Sequence, residues 1–364
     1  MKKAGIITLF SDQNYGNRLQ NLAVQTILQN LGYNAHTIIQ ISDYRNWLIF
    51  RCKLYLKKIY YGDPRLCRSC TFRKFNRKYI KIKYVFGDDN QILSKLAAKY
   101  AYFVTGSDQV WNVKLNKRVE EDYHYYFLLF AEDVQKVCIS PSIGLDTIPE
   151  EYTEQMRDRL SGFKYLSCRE KQGAQEIKRI TGRECEWLID PTLYVTREQW
   201  KRLFSLKSSN LAPYILLYFM DGMSEELNVH VRKYAEIGGF TIIDPSDPHS
   251  DYYSIDPAQF VELLSNAYMV FTDSFHVTAF SINFHVPFYV FNRKLWQNMT
   301  SRIKSLCELF SLEERYIQEQ KPFEIKESFS FDAADKQLTI ERKKFSLYLE
   351  KCFGKQVSGN SEIV

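Results

Sequence analysis

The residues best suited to proton transfer lie in the run Thr272-Asp273-Ser274-Phe275-His276-Val277-Thr278. Tyr268–Thr272 reads as a buried strand, and a helix then begins with Asp273 or Ser274 as its N-cap. His276 falls in the first helical turn, where free N–H groups and the positive end of the helix dipole favour an anion. The same field disfavours imidazolium, so the ring is expected to be neutral near pH 7 and able to take or give a proton. The competing reading has the ring capping the helix or packed against Phe280 and Phe284. A place at the C-terminal end of a strand favours chemistry, with Ser274 and Phe275 as ligand-binding neighbours.

Two further turns present polar groups. Asn14-Tyr15-Gly16-Asn17-Arg18 joins the first strand to the first helix. There Gly16 permits close backbone approach, and Asn17 is expected as the N-cap that leaves N–H groups for a ligand. Asn14 and Arg18 flank it; the bland alternative is a plain turn. G-x-G-x-x-G and Walker A spacing are both missing, so nucleotide binding is not supported. In Val104–Asn112, residues Gly106, Ser107, Asp108 and Gln109 follow a strand and are placed to hold sugar hydroxyls, with Trp111 as a stacking face. No G-x-S-x-G elbow surrounds Ser107, which argues against a serine nucleophile. Arg169 and Arg302 are chosen as clamps for phosphate or carboxylate, with Glu170 and Glu308 as their alternative partners. Asp190-Pro191-Thr192 reads as a strand end and a connection, not as chemistry.

These turns need strands and helices in alternation to hold them. Ala4–Phe10, Tyr100–Thr105, Lys136–Ser140, Tyr214–Phe219, Phe240–Ile243, Tyr268–Thr272 and Phe288–Phe291 are apolar without polar alternation, hence buried on both faces. Leu19, Leu22, Ala23, Ile27 and Leu31 recur at helical spacing before Gly32. Asp256-Pro257-Ala258-Gln259 carries the signs of a helix start: cap, proline and a reciprocal glutamine. The class is therefore α/β with parallel, doubly wound sheets. A chain of 364 residues exceeds one ordinary core. The polar run Leu206–Pro213 divides it into a Rossmann-like unit over 1–205 and a second over 206–364 that carries His276 and a terminal helix and tail. Two such units facing each other form a cleft at the strands' C-terminal ends.

Composition narrows the class further. With 45% apolar and 25% charged residues, the chain is globular rather than disordered. No run approaches the roughly 18 apolar residues needed to cross a bilayer. The apolar start is too soon broken by Ser11-Asp12-Gln13-Asn14 for a signal peptide, so a cytoplasmic location is expected. Cys67 and Cys70 form the one close cysteine pair and lack the further ligands zinc requires, so no metal is expected. The net charge of +6 is concentrated: between Arg51 and Tyr84 twelve basic residues face the single acid Asp63. Interleaved aromatics suit an insertion, at about 45–85, that has a solvated basic face, touches an anionic membrane periphery or takes a lipid-linked substrate. Nucleic acid is the less favoured alternative.

In chain order, the segments N-Y-G-N-R-L-Q-N, V-T-G-S-D-Q-V-W-N, S-C-R-E, L-I-D-P-T-L, T-D-S-F-H and S-R-I-K-S-L resemble the polysaccharide pyruvyl transferase family. The resemblance spans Gly5 to about Arg315. It implies two Rossmann-like domains arranged as in a GT-B glycosyltransferase. It also implies transfer of a pyruvyl group from phosphoenolpyruvate to a sugar diol of a surface polysaccharide or its lipid-linked oligosaccharide precursor. The product is a cyclic ketal, phosphate leaves, and no cofactor or metal is needed. By resemblance His276 is the acid/base residue and Arg169 a donor-binding candidate. Better-studied members carry Arg two residues before this histidine, where this chain has Ser274, and often a small residue after it, where it has Val277. Arg302, Arg18 or the helix N-terminus must then supply the missing positive charge, or the donor differs. Two other functions suit the architecture: a glycosyltransferase using a nucleotide sugar, and a non-catalytic carbohydrate-binding relative.

Overall fold

The structure is a computed structural model that describes residues 1–49, 63–87, 90–115, 124–293 and 301–354. Its first half runs β1 (Lys3–Ile7), α1 (Tyr15–Asn30), β2 (Asn34–Ile41), α2 (Pro64–Tyr79), β3 (Ile82–Phe86), α3 (Asn90–Ala97), β4 (Tyr102–Gly106), β5 (Lys136–Ile139), α4 (Glu150–Leu160), β6 (Leu166–Cys168), α5 (Lys171–Thr181), β7 (Cys185–Trp187), α6 (Pro191–Tyr194) and α7 (Arg197–Phe204). Its second half runs β8 (Tyr214–Tyr218), α8 (Glu225–Gly238), β9 (Thr241–Ile243), α9 (Pro257–Ser265), β10 (Met269–Thr272), α10 (Phe275–Phe284), β11 (Phe288–Phe291), α11 (Ser301–Leu309), β12 (Tyr316–Ile317) and α12 (Asp332–Phe353).

One five-stranded sheet has the order β3-β2-β1-β4-β5 and another the order β12-β11-β10-β8-β9, with β6 and β7 as a separate pair. Every pairing is parallel. Residues of β8, β10 and β11 are buried throughout, as strands covered on both faces must be. The strand order reverses between β1 and β4 in the first sheet and between β8 and β10 in the second. Ligands of open α/β sheets bind at such points, beyond the carboxyl ends of the strands. The turns carrying Gly16 and Asp108 flank the first reversal, and the turn carrying His276 flanks the second.

The expected capping box at Asp256 forms, with Asp256 accepting from Ala258 and Gln259 amides. The terminal helix departs from the sequence division. Although α12 follows the second sheet, its Tyr348 hydroxyl donates to the Cys138 carbonyl of β5 at 2.8 Å. Its Phe353 packs on Tyr33 and Tyr102. In the basic segment Arg65, Lys74, Arg77, Lys78, Lys81 and Lys83 are exposed, as a solvated basic face requires, and Arg68 turns inward. Residues 51–62 of it, and the tail 355–364, lie outside the described residues. On α2, Phe72 and Phe75 are buried, and Arg68 is buried with them. The Arg68 guanidinium lies over Tyr15 and Tyr253 and donates to the Pro245 carbonyl at 3.2 Å, tying the two halves. Cys67 and Cys70 are free and half-buried. Among the described residues no helix is long and apolar enough to cross a membrane, and no group of three or more His, Cys, Asp or Glu could hold a metal ion.

Candidate functional site

Turns after β1, β4, β6, β7 and β10 converge on one buried guanidinium. Arg169 follows β6 directly, and its side chain is inaccessible to solvent. Its Nη1 donates to Asp190 Oδ2 at 2.9 Å and to Ser107 Oγ at 3.3 Å, and lies 3.4 Å from His276 Nε2. Its Nε reaches Glu170 at 3.4 Å, and Nη2 stands 3.8 Å from Asp108 Oδ1. The guanidinium face covers the Phe275 ring at 4.6 Å. Asp190 caps α6, accepting from the Thr192 amide at 3.0 Å and hydroxyl at 2.8 Å through Oδ1. Its Oδ2 accepts from Ser107 and Arg169 and sits 3.8 Å from His276 Nε2.

His276 is the second residue of α10, with 12% of its side chain exposed. The N-cap is Ser274, and its side chain makes no capping hydrogen bond. The first-turn N–H groups are therefore left to solvent or a ligand. Arg169 is only a donor, so the neutral ring accepts at Nε2 and carries its proton on Nδ1. Burial pushes the imidazole pKa down. Asp190 and Asp108 oppose this, while Arg169 and Arg302 add to it, leaving a value of about 4. The ring is neutral at pH 7. It is also wedged: a Cβ added at Gly16 would stand 2.2 Å from His276 Nδ1. Gly16 thus admits the imidazole rather than a ligand.

The carboxylates stay ionised. Burial works against Asp190, but His276, Arg169 and the Ser107 and Thr192 donors outweigh it, and its pKa falls. Asp108 is lowered likewise, against burial, by Arg169, His276, Asn17 and the Gln109 amide. Asp108 holds a left-handed φ of 64°, which costs a residue with a Cβ roughly 1–2 kcal/mol. Its two anchors, Asn17 Nδ2 at 2.7 Å and the Gln109 amide at 2.9 Å, hold it there. Arg302 is buried, and its pKa falls to about 9 through burial and repulsion by Arg169 and Arg293. An anion would relieve that repulsion.

The structure gathers His276, Phe275, Arg169, Ser107, Asp108, Asn17 and Gly16 at one point, with Arg302 within electrostatic reach. Several expectations need correction. Asn14, not Asn17, caps α1, accepting the Asn17 amide at 3.0 Å. Arg18 turns away, donating to the Leu9 carbonyl and stacking over Phe10 at 3.8 Å. A Cβ at Gly106 would meet the Ile139 carbonyl, so that glycine serves strand packing. Ser107 spends its hydroxyl on Asp190, and Gln109 accepts from Asn112 at 2.8 Å. Trp111 is fully buried and stacked on Phe127, so it offers no face to a sugar. Asp190, read as a mere connection, and Glu170, read as a partner only, are both at the centre. Their signal was positional: each follows a parallel strand's carboxyl end.

Comparison with solved structures supports the architecture. The chain is 11% identical to a putative UDP-N-acetylglucosamine 2-epimerase from Listeria monocytogenes, covering 100% of both chains with a TM-score of 0.51. It is 12% identical to the UDP-GlcNAc 2-epimerase of Methanocaldococcus jannaschii, covering 99% of this chain and 94% of that one, with a TM-score of 0.43. The first likeness shows the fold alone: two Rossmann-like units facing each other in the GT-B manner. No curated protein matches the sequence. The profile of one family, described as polysaccharide pyruvyl transferase, matches residues 14–294, a span that includes every turn of the cluster except that of Arg302. The chain is a transferase that belongs to the polysaccharide pyruvyl transferase family.

Proposed function

We propose that the chain transfers the pyruvyl group of phosphoenolpyruvate to two hydroxyls of one sugar, forming a cyclic ketal and releasing phosphate. The observation that carries this reading is His276 in the uncapped first turn of α10, beside Arg169 and near a charge-stressed Arg302. The amides, the dipole and Arg302 receive the phosphate and carboxylate, which replaces the arginine that Ser274 lacks. Anionic charge raises the imidazole pKa, so the donor itself charges the ring. The imidazolium then protonates the terminal enol carbon, leaving a cation at C2 stabilised by its ester oxygen. One sugar hydroxyl adds at C2 and gives its proton back to the imidazole. The C2–O bond to phosphate breaks, and the second hydroxyl adds while its proton leaves with phosphate. Arg169 orients the neutral ring through Nε2, and Asp190 Oδ2, 3.8 Å from that nitrogen, is its counter-charge once it is protonated.

Two results test this. Phosphoenolpyruvate at 100 times its Kd should stabilise the protein by about 2.7 kcal/mol, and Arg302→Met should remove most of that gain in a thermal scan. Because the free imidazole titrates at about 4, binding at pH 7 should take up protons. Calorimetry in buffers of different ionisation enthalpy reads that uptake, which His276→Asn should abolish. Stabilisation by a nucleotide sugar and none by phosphoenolpyruvate overturns the donor. Separately, Gly16→Ala adds a methyl where the ring stands. Its helix gain of about 1 kcal/mol keeps the fold, while displacing the imidazole should cost about 10²-fold in phosphate release. Full activity in Gly16→Ala would place the working ring elsewhere.

A further inference from the structure

Two turns from opposite halves of the chain meet at the imidazole. The start of α1 brings Gly16 against it, and the first turn of α10 carries it. Halves of one chain move against each other unless something ties them, because the interface between them resembles a transient one. Such a movement would draw Gly16 off the ring. The tie is Arg68. It stands on α2 of the first half and enters the second, where it lies over Tyr253 at 4.8 Å and donates to the Pro245 carbonyl at 3.2 Å. Its other face covers the Tyr15 ring at 4.4 Å. The residue is 5% exposed, and its Nε is buried without a hydrogen-bond partner. Burying a cation on those terms is costly, and a helix that needed only a solvated basic face would keep it outside.

The rings around Arg68 lead to both turns of the site. Tyr15 immediately precedes Gly16. Its ring stacks on Phe260 of α9 at 4.0 Å, and its hydroxyl donates to the Ile255 carbonyl at 3.2 Å. Tyr15 therefore belongs to the first half by sequence and is gripped by the second. Tyr15 and Phe260 also pack on Tyr218, at 5.9 and 5.2 Å between ring centres. Tyr218 ends β8 opposite Thr272, and its carbonyl accepts from the Thr272 hydroxyl at 2.7 Å. The same hydroxyl accepts from the amide of Ser274, the N-cap of α10, at 3.0 Å. One path thus runs from Arg68 through Tyr15 to Gly16, and the other through Tyr218 to the helix that carries His276. The first turn of α2 is itself fastened to both halves: Gln13 donates to the Arg65 carbonyl at 2.9 Å, and Ser254 to the Pro64 carbonyl at 3.2 Å.

We propose that Arg68 is a positioning residue: its guanidinium, inserted from the first half among rings of the second, pins the two halves together so that Gly16 holds the His276 imidazole in its working place. The inference rests on the pyruvyl transfer reading for the reaction it serves, and on geometry alone for the place of the ring. It separates one cation of α2 from its neighbours, which remain a solvated face.

The test reads rate and ring together in the full chain. Arg68→Met keeps much of the stem and loses the planar cation. It should lower kcat for phosphate release by about tenfold to 10²-fold. The Kd for phosphoenolpyruvate should stay unchanged, because the α10 N-terminus and Arg302 both lie in the second half. Nuclear magnetic resonance of the ligand-free protein follows His276 separately, with His276→Asn assigning its signal. Burial is the largest cause holding that titration at about 4, so loosening the halves should move it up toward about 6.5. Arg68→Lys keeps the charge without the fork that stacks on rings, and should recover part of the rate and reverse part of the shift. Tyr253→Leu removes one ring of the cage without touching either turn, and should show the same changes in smaller measure. It decides the matter alone if Arg68→Met does not fold. Native kcat in the folded variants overturns the proposal. A loss of rate with His276 still titrating at about 4 overturns it as well, since the arginine would then act elsewhere. If the wild type binds no phosphoenolpyruvate, the pyruvyl transfer reading falls, and the titration of the ligand-free ring still judges the pin.

Discussion

His276→Asn should lower kcat for phosphate release from phosphoenolpyruvate and acceptor by about 10²–10⁴-fold, the usual worth of a positioned acid–base group. Asparagine keeps a polar side chain at the mouth of α10 but cannot carry a proton between carbon and hydroxyl. The loss belongs in kcat, because the helix N-terminus and Arg302 still hold the donor. A second signature has the opposite direction. The folded imidazole titrates at about 4, below the 6.5 or so of an unfolded histidine. The unfolded chain therefore binds the extra proton first, and the wild type loses stability as pH falls from 6.5 toward 4. His276→Asn removes that loss, so its stability relative to the wild type should rise on acidification. Melting temperatures of both proteins across that window measure it. A variant with native kcat would end the acid–base assignment.

Arg169→Met should be the most destabilising single change in the cluster, by about 3–5 kcal/mol. The methionine fills much of the volume but leaves Asp190, Glu170 and Asp108 without their shared cation. A buried charge stripped of its partner costs far more than an ion pair at the surface gains. The pH dependence follows from the carboxylates. In the wild type Asp108 and Asp190 are held below their ordinary pKa, so their contribution is present at neutral pH and lost in acid. In Arg169→Met the orphaned carboxylates are pushed up instead. The deficit should be largest at neutral pH and narrow as they protonate. Denaturant titrations at pH 7 and pH 5 check this, and Asp190→Asn added to Arg169→Met should restore part of the stability. A deficit that ignores pH would mean the arginine acts by packing alone.

The apolar strands without alternation were legible because doubly covered strands leave no polar face to confuse the pattern, and β1, β4, β5, β8, β10 and β11 all fall within a few residues of their expected ends. Others hid for definite reasons. β6 (Leu-Ser-Cys) and β7 (Cys-Glu-Trp) are interrupted by polar residues and β12 has two residues, so none shows the apolar run that marks the equally short β9. β2 mixes buried and half-buried positions without regular alternation. In the site, His276 and Arg169 were readable from residue type and place, whereas Asp190 was masked by its second duty as a helix cap. The same ambiguity misplaced the cap of α1, since Asn14 and Asn17 are equally good cap residues and only the backbone decides. Trp111 shows the limit of residue type: an indole three residues past a ligand-like turn was spent on the core. Arg68 shows the converse, a charge from a basic run buried between two tyrosines.

The place of α12 has a consequence for how the protein is made. The first sheet is complete in sequence before residue 190, yet Tyr33 and Tyr102 pack on Phe353 of α12, and the Cys138 carbonyl accepts from its Tyr348 as well as from Ser167. During synthesis the early half therefore waits with part of an apolar flank bare until α12 emerges. A nascent chain in that position is a natural client for chaperones that shield apolar surface. It also links the fate of the two halves, because truncation before α12 would uncover part of the first sheet.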